Sequence, residues 1–136
     1  MVMQREDIMK TRYTVALSML AGAALGAAAA QGLHAQAKPK AYTVSESETL
    51  DAAAATAFVP ALEAAQSAAG GRTLHTRGGR VVTLDGPAAP QRVSIIEWGS
   101  LEQAQAFYKS KAWNDLAPQL DKGVRTTRRY AVETVK

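Results

Sequence analysis

The stretch "QRVSIIEWGSLEQAQAFYKSKAW", Gln91 to Trp113, decides the fold. From Arg92 to Trp98 it is apolar at both parities, Val93 and Ile95 against Ile96 and Trp98. A strand of that kind belongs inside a sheet, with something packed on each face. Ser100 and Gln103 have the S/T-x-x-E/Q spacing that opens a helix. Leu101, Ala104 and Tyr108 lie along one side of that helix, with Phe107 beside them. Ser110 then caps a second short helix carrying Trp113 and Leu116, expected to break near Pro118. One carboxylate, Glu97, sits in the otherwise apolar strand.

Upstream, "AYTVSES" (Ala41 to Ser47) alternates as a half-buried strand. Thr49 can cap a helix to about Ala69, with an apolar stripe of Leu50, Ala54, Phe58, Leu62 and Ala65. Pro60 should kink or split it, and Gly70-Gly71 should end it. "RTLHT" and "VVTL" read as two short strands on either side of an "RGGR" turn, and the two prolines of "GPAAPQ" mark a loop. Downstream, "TRRYAVETV" alternates as the last strand. Strand, helix, strands, helix, strand predicts an α+β fold, a ferredoxin-like βαββαβ sandwich with an antiparallel sheet and helices on one face. The central strand is apolar on both sides, so the uncovered face calls for a second copy, closing a dimeric α/β barrel, although a loop could also cover the apolar face. The polar positions Thr43, Ser45, Arg129 and Glu133 predict that its interior is partly wet.

The chain has 136 residues, enough for one domain. Lys10 and Arg12 precede the apolar run Val15 to Ala30, and small residues close it at Ala35 and Ala37. These are the parts of a secretory signal peptide, and the run is short for a spanning helix. Residues 1–37 are therefore expected to be a leader cleaved after Ala37, with Met9 as an alternative start. Residues 38–136 form the domain, periplasmic or secreted, with no stable membrane anchor. That domain carries thirteen Lys and Arg against ten Asp and Glu, a mild net charge of +3. Outside the cytoplasm nucleic acid is not an expected partner, and Arg125, Arg128 and Arg129 read as a solvated face. Cysteine is absent, which excludes disulfides, thiolate metal sites and a lipidated cysteine.

The linked series Gly70-Gly71-Arg72, Arg77-Gly78-Gly79, Asp85-Gly86, Glu97 and Ser110 resembles the DUF1330 family of small bacterial proteins, from Tyr42 to Glu133. The resemblance implies a dimeric α/β barrel. That superfamily includes cofactor-independent monooxygenases, isomerases and ligand-binding domains, but the family brings no reaction of its own. The interval between the Gly-Gly pairs is one residue longer than the commoner family pattern, which places a bulge at His75 or Thr76. Lys109 stands where members frequently have His, and Trp113 where Tyr is frequent.

Two residues are candidates for acid–base chemistry. Glu97 either faces a cavity as a proton acceptor or sits at the Ser100 helix start, where a carboxylate is favoured. His75, the one His after the leader, lacks the second His or Cys of a metal site, so no metal and no cofactor are expected. Tyr42, Arg72, Tyr108 and Trp98 are the candidate ligand contacts. Arg72, Arg77 and Arg80 can grip an anion through forked donors, or else flank a turn in solvent. The expectation is a homodimer with a small-molecule ligand between sheet and helices, either a binding protein or a cofactor-free enzyme. The rival class is a non-catalytic structural or interaction protein of the cell envelope.

Overall fold

The computed structural model describes residues 38–135, so the leader expected over residues 1–37 lies outside the described part. The elements are β1 (Ala41–Thr49), α1 (Ala52–Ala57), α2 (Val59–Ala68), β2 (Arg72–Thr73), β3 (Arg92–Trp98), α3 (Leu101–Lys109), α4 (Lys111–Gly123) and β4 (Val124–Glu133). They build an antiparallel sheet in the order β2-β3-β1-β4. This is the α+β, ferredoxin-like arrangement, with β1 and β3 inside and the helices on one face. No helix among the described residues is long and apolar enough to cross a membrane.

Alternation divides the two faces. Ile96 and Trp98 on β3, with Ala41 and Val124, turn into the helix layer and meet Phe58, Leu62, Ala104, Phe107, Trp113 and Leu120. Trp98 is 1 % exposed, and its indole N–H donates to Thr43 Oγ1 at 3.1 Å. That bond meets the polar need of a ring that otherwise supplies buried apolar area. The opposite parity, Tyr42, Val44, Val93, Ile95, Tyr130 and Val132, lies on the face without helices, where Tyr130 and Val132 are exposed.

Several local expectations are corrected. The first helix is capped by Asp51, which accepts from Ala54 N at 2.7 Å, not by Thr49. As expected, it splits just before Pro60, at Phe58, and the proline takes a place in the first turn of α2. Pro118 does not break α4, which runs through it to Gly123. Val81–Leu84 is not a strand: Leu84 is almost fully exposed, and nothing pairs with it. β2 shortens to two residues, because His75 takes a left-handed conformation (φ 56°) and turns the chain away. The Thr76 hydroxyl then does the work of a strand, donating to Val93 O at 2.8 Å and accepting from Ile95 N at 3.2 Å.

The ends of the helices are tied to one another. Ser100 Oγ accepts from Gln103 N at 3.2 Å. Gln103 Oε1 accepts from Gly99 N, and its Nε2 donates to the Ala69 carbonyl at the end of α2, both at 2.9 Å. Gly123 lets α4 meet α1, since a Cβ there would lie 2.3 Å from Ala55 N. Its carbonyl accepts from Leu50 N at 2.8 Å.

Candidate functional site

Moving along β3 from Trp98 towards Arg92, the helix-facing side of the sheet changes from apolar to polar. Ser94 and Arg92 share the parity of Ile96 and Trp98, and Ser45 and Ser47 stand opposite them on β1. Polar side chains in this layer do not close up as hydrocarbon would. A cavity of about 40 Å3 remains between sheet and helices, walled by those residues, Phe58, Leu62 and Gln66 from the first helices, and Tyr108, Trp113 and Leu120 from the second pair. Next to it is an open cleft of about 410 Å3, and Tyr108, Trp113 and Arg129 form part of both walls.

Three arginines line the cavity: Arg77, Arg92 and Arg129. Arg92 donates to Thr49 Oγ1 at 3.0 Å and to the Arg77 carbonyl at 3.3 Å. Arg129 donates to Ser45 Oγ at 2.9 Å and to Thr126 Oγ1 at 3.4 Å. Its guanidinium carbon lies 5.0 Å from the Tyr108 ring centre and 4.7 Å from that of Trp113, cation–π distances. Arg77 is only 17 % exposed along its side chain, and its nearest carboxylate, Glu63, is 3.8 Å away. Burial pushes the pKa of both Arg77 and Arg129 down, although both remain cations at any ordinary pH.

A bulge puts Arg129 there. Ser45 pairs with Arg129 and Glu46 with Arg128, but Ser47 pairs with Thr126, which leaves Thr127 as the extra residue. Its hydroxyl donates to Glu46 O at 3.1 Å. The insertion reverses the parity of the strand, so Arg129 shares a face with Thr126 and Val124.

Glu97 lies on the other face of the sheet. It neither borders the cavity nor caps α3, whose start is satisfied by Ser100 and Gln103. Both its oxygens are engaged: Oε1 accepts from Lys40 and from Arg72 Nε at 3.2 Å, and Oε2 accepts from the Tyr42 hydroxyl at 2.9 Å and Arg72 Nη2 at 3.0 Å. The Arg72 fork, then Tyr42 and Lys40, hold the carboxyl at a pKa of about 2, against an ordinary 4.5. The same pairing raises the Tyr42 hydroxyl pKa. A carboxylate so well satisfied is a weak base.

The predicted residues therefore separate. Tyr108 borders the cavity; Trp98 is core; Tyr42 and Arg72 clamp Glu97 on the opposite face. His75 is exposed on its turn, and no hydrogen bond joins it to Glu97. Among the described residues no group of His, Cys, Asp or Glu could hold a metal ion. Sequence reading named neither Arg92 nor Arg129 as a ligand contact, set Arg129 both with inward-facing Ser45 and on a solvated face, and left Arg77 with a solvent alternative. The parity of Arg92 with Ile96 and Trp98 was a usable signal. The bulge hid only that Arg129 shares its face with Thr126 and Val124.

A ferredoxin-like sheet with an arginine-bordered cavity under its helices defines the class. Residues 40–135 match the model of the DUF1330 family, a domain of unknown function, and the chain belongs to that family. A protein of unknown function from Rhodopseudomonas palustris is similar in structure, with a TM-score of 0.59 and 14 % identity over 73 % of this chain and 85 % of the other. A methylated form of that protein gives a TM-score of 0.58 at 14 % identity, over 73 % of this chain and 83 % of the other. These likenesses concern the fold. No curated protein matches the sequence.

Proposed function

We propose that the chain is an exported, homodimeric small-molecule-binding protein whose ligand occupies the cavity between sheet and helices. The observation that carries this reading is the polar stretch of the sheet–helix layer. Where a filled core would have hydrocarbon, Ser45, Ser47, Ser94 and Gln66 surround a space together with three arginines. A polar-walled space left open inside an otherwise apolar layer is the setting in which small ligands bind. Binding is favoured over acid–base catalysis at Glu97, because that carboxylate is fully engaged and lies on the other face.

The helix-free face supports the dimer. Val44, Ile95, Tyr130 and Val132 form an apolar stripe across it, flanked by charged pairs such as Arg128 with Glu46. A second sheet laid on that stripe would cover it, and a domain of this size gains from the added burial. Native mass spectrometry of protein recovered from the periplasm tests the whole reading. A dimer lacking residues 1–37 and carrying retained small-molecule mass is expected. A monomer that keeps those residues and never retains or takes up a small molecule would overturn it.

A further inference from the structure

We infer that the cavity takes a compact oxyanion, a short-chain carboxylate or an inorganic oxyanion such as phosphate, gripped by Arg77, Arg92 and Arg129. This rests on the cavity being the binding site proposed above and names the chemistry it selects. The first ground is unbalanced charge. Three arginines line one small space, and among the described residues the ion pair they make is the loose one from Arg77 to Glu63 at 3.8 Å. Arg92 and Arg129 bond neutral oxygens. Bringing like cations together away from water is costly without an anion between them.

The second ground is unspent donors. Arg77 makes no side-chain hydrogen bond within 3.5 Å among the described residues, although most of its side chain is out of solvent. The hydroxyls of Ser47 and Ser94, which also face the cavity, have no hydrogen-bonded protein partner among those residues either. Guanidinium forks and hydroxyls are the donors that suit the oxygens of a carboxylate or phosphate.

The third ground is size. A space of about 40 Å3 is several times the roughly 10–15 Å3 that seats one water, so it admits an anionic group of few atoms. The adjoining cleft gives access past Arg129, which stacks on Tyr108 and Trp113 at the shared wall.

The test is titration of the full chain with sodium acetate, sodium phosphate and neutral acetamide, against sodium chloride at matched ionic strength. Thermal midpoint and isothermal calorimetry are the readouts. Acetate or phosphate should bind saturably and raise the midpoint, while acetamide should not. Binding of acetate alone assigns the site to carboxylates, and of phosphate alone to inorganic oxyanions. Arg129→Met and Arg77→Met should each weaken the anion about tenfold or more, the scale of one charge-assisted hydrogen bond. Because a variant can fail to fold, the unmodified chain provides a second readout. The bound anion should slow phenylglyoxal labelling of Arg77 and Arg129 but not of Arg128. Acetamide binding as well as acetate would leave a small-molecule site standing and overturn its anion selectivity. Anion binding that is unchanged in both variants, with no protection of either arginine, would place the anion elsewhere and overturn the inference. No binding by any probe would overturn the inference, and retained ligand in native mass spectrometry would still decide the broader reading.

Discussion

At the scale of single residues, Glu97 and Arg129 show how position on a strand outweighs residue type. Glu97 is a carboxylate in an apolar strand, and its setting makes it an anchor for β1, β2 and β3 through Tyr42 and Arg72. Its folded pKa of about 2 lies below the ordinary 4.5, so its contribution is complete above the ordinary value and lost as pH falls through about 2. Acid unfolding should therefore begin earlier in Glu97→Gln than in the parent. The gap between the two curves should close near the bottom of that window, as followed by circular dichroism from neutral to strongly acidic pH. The carboxylate itself was plain in the sequence. Its partners were not, because Arg72 and Tyr42 come from strands on opposite sides of β3, and only the register brings them to one spot.

At the scale of elements, junctions carry much of the stability. Ser100→Ala should cost about 1 kcal/mol, as helix N-cap losses do. Gln103→Ala should cost more, since it frees both Gly99 N–H and the Ala69 carbonyl. Urea denaturation of the two variants side by side gives the order. Gly123→Ala should be worse than either, by about 1–3 kcal/mol for forcing atoms into a packed contact, because its methyl would fall on the Ala55 backbone. The Ser100–Gln103 pair was legible because capping is local in sequence. Gly123 was not, since the close approach that requires it involves a helix almost seventy residues earlier. Val81–Leu84 misled for the converse reason: its β-branched residues favour a strand, but β3 finds its edge partner in the short β2 and the Thr76 side chain.

At the scale of the whole molecule, the two faces of the sheet have different tasks. Helices cover one around the cavity, and the other carries the exposed side chains of Tyr130 and Val132, the surface on which we propose a second copy docks. Val132→Asp should leave the fold intact, since Val132 is 52 % exposed, and should shift a dimer to monomer in analytical ultracentrifugation. The overall architecture was readable from the alternation of strands and helices. The cavity was not, because it depends on a one-residue insertion in β4 that ordinary two-residue periodicity conceals. The Thr76 hydroxyl, described above as standing in for a strand, has a consequence for how such a chain can change over time. It closes the β3 ladder, and Arg92 fastens the Arg77 carbonyl directly after it. From Gly78 to Pro90 the backbone therefore owes the sheet no register, and its codons can be gained or lost without displacing the arginines. That segment is where relatives should differ most in length, and where a tag or fused domain can be inserted with the pocket left undisturbed.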